Sequence, residues 1–565
     1  MRDFAAIGAA TYDLIVIGGG INGAAVARDG ALRGLKTVLV EKGDFASGTT
    51  SWSSRLVHGG LRYLEYFEFH LVRESLHERE ILLRTAPHLV KPISMTIPIY
   101  RSGSRSYWEI QAGMVLYDLL SYDKSLPNHR MLPSAKLKQL FRSVNPEDCK
   151  GGAQYFDAQV EYAERLCLEI VLSAQAAGAD MLNYVTVTQL QQAGQRITHL
   201  TCEDGLTGET FTVKGHDKTV VINTAGPWVD EVCRRTQASD MPATIAKTRK
   251  IGGTKGSHIV VERFPGAPDS ALYVEALTDG RPFFILPWLG RCLIGTTDLR
   301  FDGDLDRVKA NNDEVDYLIQ ETNRVIPSAQ LTRQSVKFTY SGVRPLPYAE
   351  GKKTSSITRS HVLYDHAEEG VDNLISLVGG KLTTHRQVGE EMVDAVCRKQ
   401  QRQAQLSPTR QAPLPGAMKP TDERILAAIA TYTGTVSREV MDHLFSLYGA
   451  RAVEVMQLIH ETPALAEPIV PDLLDVKAQV VYAVRSEMAH TLLDICRRRT
   501  AVSMQGDYGR QAARVVANTL REYCGWSEEQ CDRNLADYTT YMAENCIPDY
   551  QLVEAESEER AEVPV

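Results

Sequence analysis

A glycine pattern near the N-terminus could bind the phosphates of a dinucleotide. Gly18, Gly20 and Gly23 form G-x-G-x-x-G between an apolar segment typical of a strand and a segment typical of a helix. The first glycine permits a tight turn, the second lets the backbone approach a pyrophosphate, and the third brings helix and strand close together. Glu41 ends the next apolar segment, where its carboxylate can accept hydrogen bonds from ribose hydroxyls. The combination predicts a dinucleotide site rather than a structural turn.

The segment after Glu41 distinguishes between two dinucleotides. The chain continues as GDFASGTTSWSSRLVHGGLRYLE, which is rich in Gly, Ser and Thr, and not as another regular helix. Such a segment can wrap a long cofactor. NTAGPW from Asn223 and VGGKLTT from Val378 each place glycine after an apolar strand, where a backbone can approach a flat ring closely. These features favour FAD over NAD.

Eight motifs occur in one order along the chain. They read IGGGINGAA, SSRLVHGGLRYLE, APHL, NTAGPW, KGSHIVV, IGTTD, TYSGVRPL and GGKLTTHR. In this set the sequence resembles the FAD-dependent glycerol-3-phosphate dehydrogenases, from about residue 12 to 395 and more loosely beyond. One departure is His385, where the family pattern commonly has tyrosine. That position flanks the motif, so the departure changes little.

The resemblance implies a fold and an activity. The fold is α/β, with a glutathione-reductase-type FAD-binding domain, an antiparallel-sheet substrate domain and a C-terminal all-α domain. The activity is oxidation of sn-glycerol 3-phosphate to dihydroxyacetone phosphate by hydride transfer to FAD, with electrons passed to membrane quinone. The alternative is a glycerophosphate oxidase that uses oxygen and produces hydrogen peroxide. TYSGVRPL and GGKLTT argue against an FAD enzyme for hydroxy acids, and the acidic composition argues against an RNA-modifying accessory protein.

The candidate substrate residues follow from the charge of a phosphomonoester, about −1.5 to −2 at pH 7. An acidic protein needs a dedicated cationic cluster to bind it. The substrate-binding candidates are Arg62, Tyr63, Thr296, Arg344, Arg359 and Lys381, all but Arg359 at motif positions that the resemblance assigns to substrate. The catalytic candidates are His258, Arg344 and Lys381. Histidine, with an ordinary pKa near 6.5, is suited to take a proton near neutrality, and among the fourteen histidines the resemblance implicates His258 as the base.

The candidate cofactor residues lie in the glycine-rich motifs. They are Gly18, Gly20, Gly23, Glu41, Ser53, Ser54, His58, Gly59, Gly60, Gly226, Gly379, Gly380, Leu382 and Thr383. Among them His58 is the second choice for the base. No metal site is predicted, since Glu487 and His490 form only one Glu-x-x-His pair of the kind that di-iron bundles use twice. We expect that pair to be solvated or capping.

Several domains must position these residues. The chain opens as strand, glycine turn, helix and strand, and residues 70–90 have helical spacing up to Pro87. Residues 250–345 read as a run of strands, and long helical patterns dominate after a proline-rich stretch. The predicted division is a discontinuous FAD-binding domain (1–90, 150–235 and 340–399), a substrate or capping domain (91–149 and 236–339), a linker (400–420), a helical domain (421–550) and a disordered acidic tail (551–565).

Composition sets the broad class. With 565 residues, 43% hydrophobic and 24% charged, the chain is too long for one core and typical of globular proteins. A net charge of −9 gives no reason to expect nucleic acid. The ten cysteines form no C-x-x-C pair, which favours a reduced, cytoplasmic protein. A homodimer is left open.

An enzyme that passes electrons to quinone must contact the membrane, because quinone resides in the bilayer. No stretch of about 18 apolar residues occurs, so we expect peripheral attachment to the inner face of the cell membrane. The candidate segment is 99–142, in which cations alternate with aromatic and aliphatic residues. Its cations are Arg101, Arg105, Arg130, Lys136 and Lys138, and its aromatic residues include Trp108. The same spacing also fits the inner face of a packed helix.

Overall fold

The computed structural model describes residues 2–238, 245, 248–351, 357–418 and 421–553. The α-helices are α1 (Phe4–Ala9), α2 (Ile21–Leu32), α3 (Phe69–Thr85), α4 (Tyr107–Leu120), α5 (Ser134–Leu140), α6 (Ala163–Ala176), α7 (Val229–Arg234), α8 (Asn312–Val325), α9 (His385–Lys399), α10 (Glu423–Tyr432), α11 (Arg438–Tyr448), α12 (Ala452–Glu461), α13 (Lys477–Ser486), α14 (Arg510–Cys524) and α15 (Glu528–Asn545). The strands are β1 (Thr11–Ile17), β2 (Thr37–Val40), β3 (Leu56–Val57), β4 (Val90–Tyr100), β5 (Arg130–Pro133), β6 (Cys149–Val160), β7 (Asp180–Leu182), β8 (Val185–Ala193), β9 (Arg196–Asp204), β10 (Thr210–Asn223), β11 (Thr236–Ala238), β12 (Thr254–Val261), β13 (Ala271–Glu275), β14 (Pro282–Trp288), β15 (Arg291–Gly295), β16 (Leu299–Arg300), β17 (Val336–Arg344), β18 (Val362–Asp365) and β19 (Leu374–Val378).

The first sheet carries the glycine turn. Its central order is β7-β2-β1-β10-β19, all parallel, and β18 adds antiparallel to β19. The run Leu14–Ile17 is buried throughout, as expected of a parallel strand covered on both faces. Helices α6 and α9 both pack against α2 beside this sheet. The first half of β10 continues into an antiparallel extension with β9 and β8.

The second sheet is largely antiparallel. Its order is β16-β12-β15-β14-β13-β4-β6-β3, with β17 on the other side of β12 and β5 on β6; β4 and β13 are parallel neighbours. The predicted fold class is confirmed. The predicted domain limits differ in detail, since β3 and most of β6 lie in segments assigned to the FAD-binding domain but pair within the second sheet. Strand β6 follows β4 along nearly its whole length, and such a long-range pairing leaves no local signal in sequence.

The C-terminal region is helical and packs on the rest of the chain. The described part of the predicted linker is fixed in place, because Leu414 is buried and the Gly416 N–H donates to Glu169 at 2.6 Å. Glu487 is buried and pairs with Arg165 at 2.8 Å, so the expectation of a solvated or capping pair with His490 is wrong for the carboxylate. Most of the predicted tail, residues 554–565, lies outside the described residues.

Candidate active site

A cavity of 560 Å³ opens beside the turn between β1 and α2. Gly18 has a φ of +106°, a conformation that side chains disfavour, and a Cβ there would lie 2.7 Å from the carbonyl oxygen of Thr224. A Cβ on Gly23 would lie 1.9 Å from the carbonyl oxygen of Gly18. Only glycine therefore fits at these two positions, as the close approach of helix, turn and neighbouring strand requires.

Glu41 lines this cavity. Its Oε2 accepts a hydrogen bond from the Gly19 N–H at 2.6 Å, and its Oε1 accepts one from the Gly43 N–H at 2.8 Å. Burial raises the pKa of the carboxyl group, and these two bonds partly offset the rise. A carboxylate oxygen can accept more than one hydrogen bond, so Glu41 retains acceptor capacity for ribose hydroxyls.

The predicted cofactor residues divide into two groups. Those that line the cavity are Gly18, Gly20, Glu41, Ser53, Gly226, Gly379, Gly380 and Leu382. The remaining six, which are not among the lining residues, are Gly23, Ser54, His58, Gly59, Gly60 and Thr383. Some residues of the second group help to position those that line the cavity. The His58 N–H donates to the hydroxyl of Thr383 at 3.2 Å, and Thr383 follows the lining residue Leu382 in the chain.

The residues of the cavity fit a dinucleotide. Gly20, the N-cap of α2, lines the cavity together with Ile21 and Asn22, so the helix N-terminus faces it with positive partial charge. Asn22 lines the cavity, and its buried Oδ1 has no hydrogen-bond partner among the described residues. A Cβ on Gly380 would lie 2.8 Å from the Asn22 amide nitrogen, so the backbone there already approaches as closely as it can. These polar groups match FAD.

Three arginines converge on one buried carboxylate. Asp298 is approached by Arg281 at 2.5 Å, Arg344 at 3.2 Å and Arg359 at 3.4 Å. Burial would raise the pKa of Asp298, but Arg344, Arg281 and Arg359 outweigh it and lower the pKa to about 2. Three guanidinium groups against one carboxylate leave a net charge of about +2, which suits a phosphate.

Lys381 connects this cluster with the cavity. It lines the cavity, its Nζ lies 4.1 Å from the centre of the Tyr63 ring, and it donates to the Ser75 hydroxyl at 3.2 Å. Burial, together with nearby Arg359, lowers the pKa of Lys381 to about 7, although two carboxylates act in the opposite direction. Burial also raises the pKa of Tyr63, which keeps its hydroxyl protonated as a hydrogen-bond donor.

Of two further predicted substrate residues, one lies within the arginine cluster and the other beside it. Thr296 accepts a hydrogen bond from Arg344 at 3.0 Å, so it lies within the cluster. Arg62 donates to the Tyr66 hydroxyl at 3.3 Å, and its buried Nε has no hydrogen-bond partner among the described residues. The structure thus places Arg344, Arg359 and Thr296 together and leaves Arg62 at the edge.

His258 lies on β12, only 2% exposed. Its Nε2 hydrogen-bonds the Ser54 hydroxyl at 2.8 Å, and its ring stacks on Tyr340 with centres 4.7 Å apart. Burial, with Arg344 and Arg55 nearby, lowers the pKa of His258 well below its usual value, so the imidazole is neutral. Its Nδ1 is buried with no hydrogen-bond partner among the described residues. A neutral ring with an unpaired nitrogen can accept a proton.

His58, the second choice for the base, is also neutral. Burial, together with nearby Lys381, lowers its pKa to about 4, although Asp157 acts in the opposite direction. Its ring packs edge-on against Phe284 with centres 6.0 Å apart. It is therefore held between the second sheet and the loop that carries Lys381.

Three important contacts did not follow from the sequence. Asp298 was not singled out, although it ends the motif IGTTD and its acidic side chain among predicted cations was a usable signal. Ser54 was predicted to bind cofactor, yet its hydroxyl bonds His258. Tyr340, which stacks on that histidine, lies in TYSGVRPL, and nothing in the motif indicates the stacking.

The predicted membrane segment forms helix α4 and its flanks. Met114 and Tyr117 are buried, whereas Trp108 is 74% and Leu119 65% exposed, so α4 has both an inner and an outer apolar face. Arg105 forms ion pairs with Glu65 and Glu275. These ion pairs occupy its guanidinium group, and its contact with lipid headgroups stays a prediction. No helix among the described residues is both long and apolar enough to cross a bilayer.

Comparison with known proteins adds independent findings. Residues 13–395 match a protein-family model described as FAD dependent oxidoreductase, and residues 407–531 match one described as C-terminal domain of alpha-glycerophosphate oxidase. A glycerol-3-phosphate dehydrogenase of Synechocystis sp. is 63% identical over 98% of this chain and 100% of its own. A D-erythritol 1-phosphate dehydrogenase of Brucella abortus is 38% identical over 87% and 94% of the two chains. The structure of glycerol-3-phosphate dehydrogenase from Bacillus halodurans complexed with FAD superimposes with a TM-score of 0.75 at 28% identity, covering 96% of each chain.

Proposed function

Because this chain belongs to the FAD-dependent glycerol-3-phosphate dehydrogenase family, we propose that it oxidises sn-glycerol 3-phosphate to dihydroxyacetone phosphate and passes the electrons to a membrane quinone. The main support for this substrate is the group of arginines around Asp298, which lies close to neutral His258. These arginines are Arg281, Arg344 and Arg359. A small alcohol with a phosphate at one end matches a site with cations on one side and a base on the other.

The phosphate is bound by the arginine cluster and Lys381. Arg344 and Arg359 already carry charge, and the phosphate dianion favours protonation of Lys381, whose pKa of about 7 allows either state near neutrality. Tyr63 lies against Lys381 and can donate its hydroxyl to the phosphate. Charge-assisted hydrogen bonds contribute about 1.5–3 kcal/mol each, so two or three suffice for specific binding.

Oxidation of the alcohol removes a hydride from carbon and a proton from oxygen. FAD, when bound, accepts the hydride. His258 is suited to take the proton, because Ser54 fixes the ring through Nε2 and the buried Nδ1 has no hydrogen-bond partner among the described residues. Arg344 lies near enough to contribute to the low pKa of His258, and its positive charge also favours the partly negative oxygen of the reacting alcohol.

An anaerobic titration tests this activity. Purified protein with bound FAD is mixed with increasing glycerol 3-phosphate while the visible absorbance of the flavin is followed. We expect bleaching with glycerol 3-phosphate and much weaker bleaching with glycerol, which lacks the phosphate. Bleaching to the same extent by a simple hydroxy acid would contradict the assignment of the cationic cluster.

The outer apolar face of α4 supports the proposal that the electron acceptor is a membrane quinone. Trp108 and Leu119 are exposed there, and Phe67, at the end of the turn that begins with Leu61, is exposed as well. Isolated exposed apolar side chains are common, but three large ones near one helix fit insertion into the headgroup region at the inner face of the membrane. Arg101, Lys136 and Lys138 are exposed and remain available for anionic lipid.

The second candidate is a glycerophosphate oxidase. It is favoured by the match of residues 407–531 to the C-terminal domain of alpha-glycerophosphate oxidase. Turnover under air distinguishes the two: an oxidase produces one hydrogen peroxide for each alcohol oxidised. A quinone-dependent enzyme turns over rapidly only when a quinone analogue is added, with little peroxide.

A further inference from the structure

The C-terminal helical region contributes to the wall of the FAD cavity. Leu493, Arg498, Tyr541 and Asn545 line the same cavity as the glycine turn, although they come from the far end of the chain. The first two belong to a turn of π-helix and its flank, Asp494–Arg499, and the other two to α15. The cavity is therefore built by both ends of the chain.

A chain of hydrogen bonds connects these residues with the part of the cavity around Glu41. The Gly43 N–H bonds Glu41, and the Gly43 carbonyl accepts a hydrogen bond from the Tyr184 N–H at 2.8 Å. The Tyr184 hydroxyl in turn donates to Asp494 at 2.5 Å. Because Glu41 is placed to bind a ribose, the C-terminal residues face the adenosine half of the dinucleotide.

Three consecutive arginines fix this contact. Arg498 Nε lies 2.6 Å and Arg499 Nη1 2.7 Å from Oδ2 of Asp44, which lines the cavity. Arg497 reaches Glu164 at 2.7 Å and the Ser51 carbonyl at 3.4 Å. All three side chains are buried. They therefore hold both ends of segment 44–51, which forms one side of the cavity.

The charges make this contact sensitive to disruption. Burial would raise the pKa of Asp44, but Arg499 and Arg498 outweigh it and lower the pKa to about 2. A buried carboxylate that loses its partners is strongly destabilised, so segment 44–51 and the π-helical turn keep their positions together. The ordering of one favours the ordering of the other.

We propose that the C-terminal helical region is part of the FAD-binding site: it closes the cavity over the adenosine half, and FAD binding and the packing of residues 493–499 and 541–545 stabilise each other. Electron acceptor and substrate play no part in this coupling. A result that contradicts this coupling would therefore leave the proposed function untouched, and the reverse also holds.

Hydrogen exchange of the wild-type protein tests the coupling without turnover. FAD is removed and then restored, and amide protection is compared by segment. We expect FAD to protect residues 493–499 and 541–545 together with 18–23 and 41–53. Helices α11 and α12, which belong to the same helical region but do not line the cavity, are the internal control. Unchanged exchange at 493–499, or an equal gain in α11 and α12, would overturn the proposal.

Variants of the C-terminal wall test it through FAD affinity. Arg498→Met leaves Asp44 paired with Arg499. Asp494 loses its ion pair with Arg498 but keeps hydrogen bonds from the Thr491 and His490 N–H groups, so the fold should persist. We expect the Kd for FAD to rise at least tenfold. Leu493→Ala should raise the Kd for FAD at least threefold. Because this change removes no charge, the variant provides the test if Arg498→Met fails to fold. The matched control is Arg514→Met, an exposed arginine on α14.

Thermal unfolding separates this role from a purely structural one. A residue that only stabilises the helical region lowers the Tm of apo and FAD-bound protein equally. A residue of the FAD site reduces the rise in Tm that FAD produces, because that rise depends on affinity. An unchanged rise in Tm and an FAD Kd within twofold of wild type for both Arg498→Met and Leu493→Ala would refute the proposal.

Discussion

Replacement of Arg344 by alanine should weaken substrate binding and leave FAD in place. Arg344 lies 3.2 Å from Asp298 and 3.0 Å from Thr296. After the change Asp298 keeps Arg281 at 2.5 Å and Arg359 at 3.4 Å, so no buried carboxylate is left unpaired. The protein should therefore fold, and the effect should be confined to the substrate.

The magnitude follows from the lost contact. A charge-assisted hydrogen bond contributes about 1.5–3 kcal/mol, and each 1.4 kcal/mol is a factor of ten in affinity. One lost guanidinium–phosphate contact should therefore raise KM for glycerol 3-phosphate about 10- to 150-fold. The remaining cations prevent complete loss of binding.

Two assays measure the effect. Steady-state kinetics with an artificial acceptor give KM, and anaerobic titration of the flavin shows whether the change is in binding, since KM equals Kd only when chemistry is slow. Arg333→Ala is the control, because Arg333 forms an exposed pair with Asp316 on α8 and should leave KM unchanged. A KM within threefold of wild type, with normal flavin content, would show that the phosphate binds elsewhere.

Four further outcomes are expected. His258→Asn should slow flavin reduction near neutral pH by about 10²–10⁴ in stopped-flow measurements, and a rate within threefold of wild type would move the base to His58. KM should rise as the pH increases above about 7, because Lys381 with a lowered pKa loses its charge there; Lys381→Arg should abolish this rise, and an unchanged pH profile would contradict it. Anionic vesicles should carry the protein upward in a density gradient, with Trp108→Glu and Leu119→Glu together weakening flotation, whereas wild-type protein that remains at the bottom would exclude membrane attachment. Denaturation should release FAD into the supernatant, because the wrapping segment contains no cysteine; flavin retained by precipitated protein would indicate a covalent bond.

The sequence by itself determined the family, the cofactor and the fold class. These depend on local backbone requirements that only certain residues meet, as at Gly18, whose φ of +106° and 2.7 Å approach to Thr224 admit no side chain. Such requirements leave short motifs in fixed order. Helix α3, expected from residue 70 up to Pro87, occurs at Phe69–Thr85 for the same reason: its periodicity is local.

The tertiary structure decided how distant residues pair. Asp298 gathers Arg281, Arg344 and Arg359, and Ser54 turns toward His258 instead of lining the cavity. Arg105 is neutralised by Glu65 and Glu275.

The C-terminal arginines that reach Asp44 show the same limit on a larger scale. They look in sequence like an ordinary basic stretch, and burial against a carboxylate more than four hundred residues away gives them their role. Charge and residue type are local properties, so they can be read from the sequence. The partner of a charge depends on the path of the chain, so only the tertiary structure shows it.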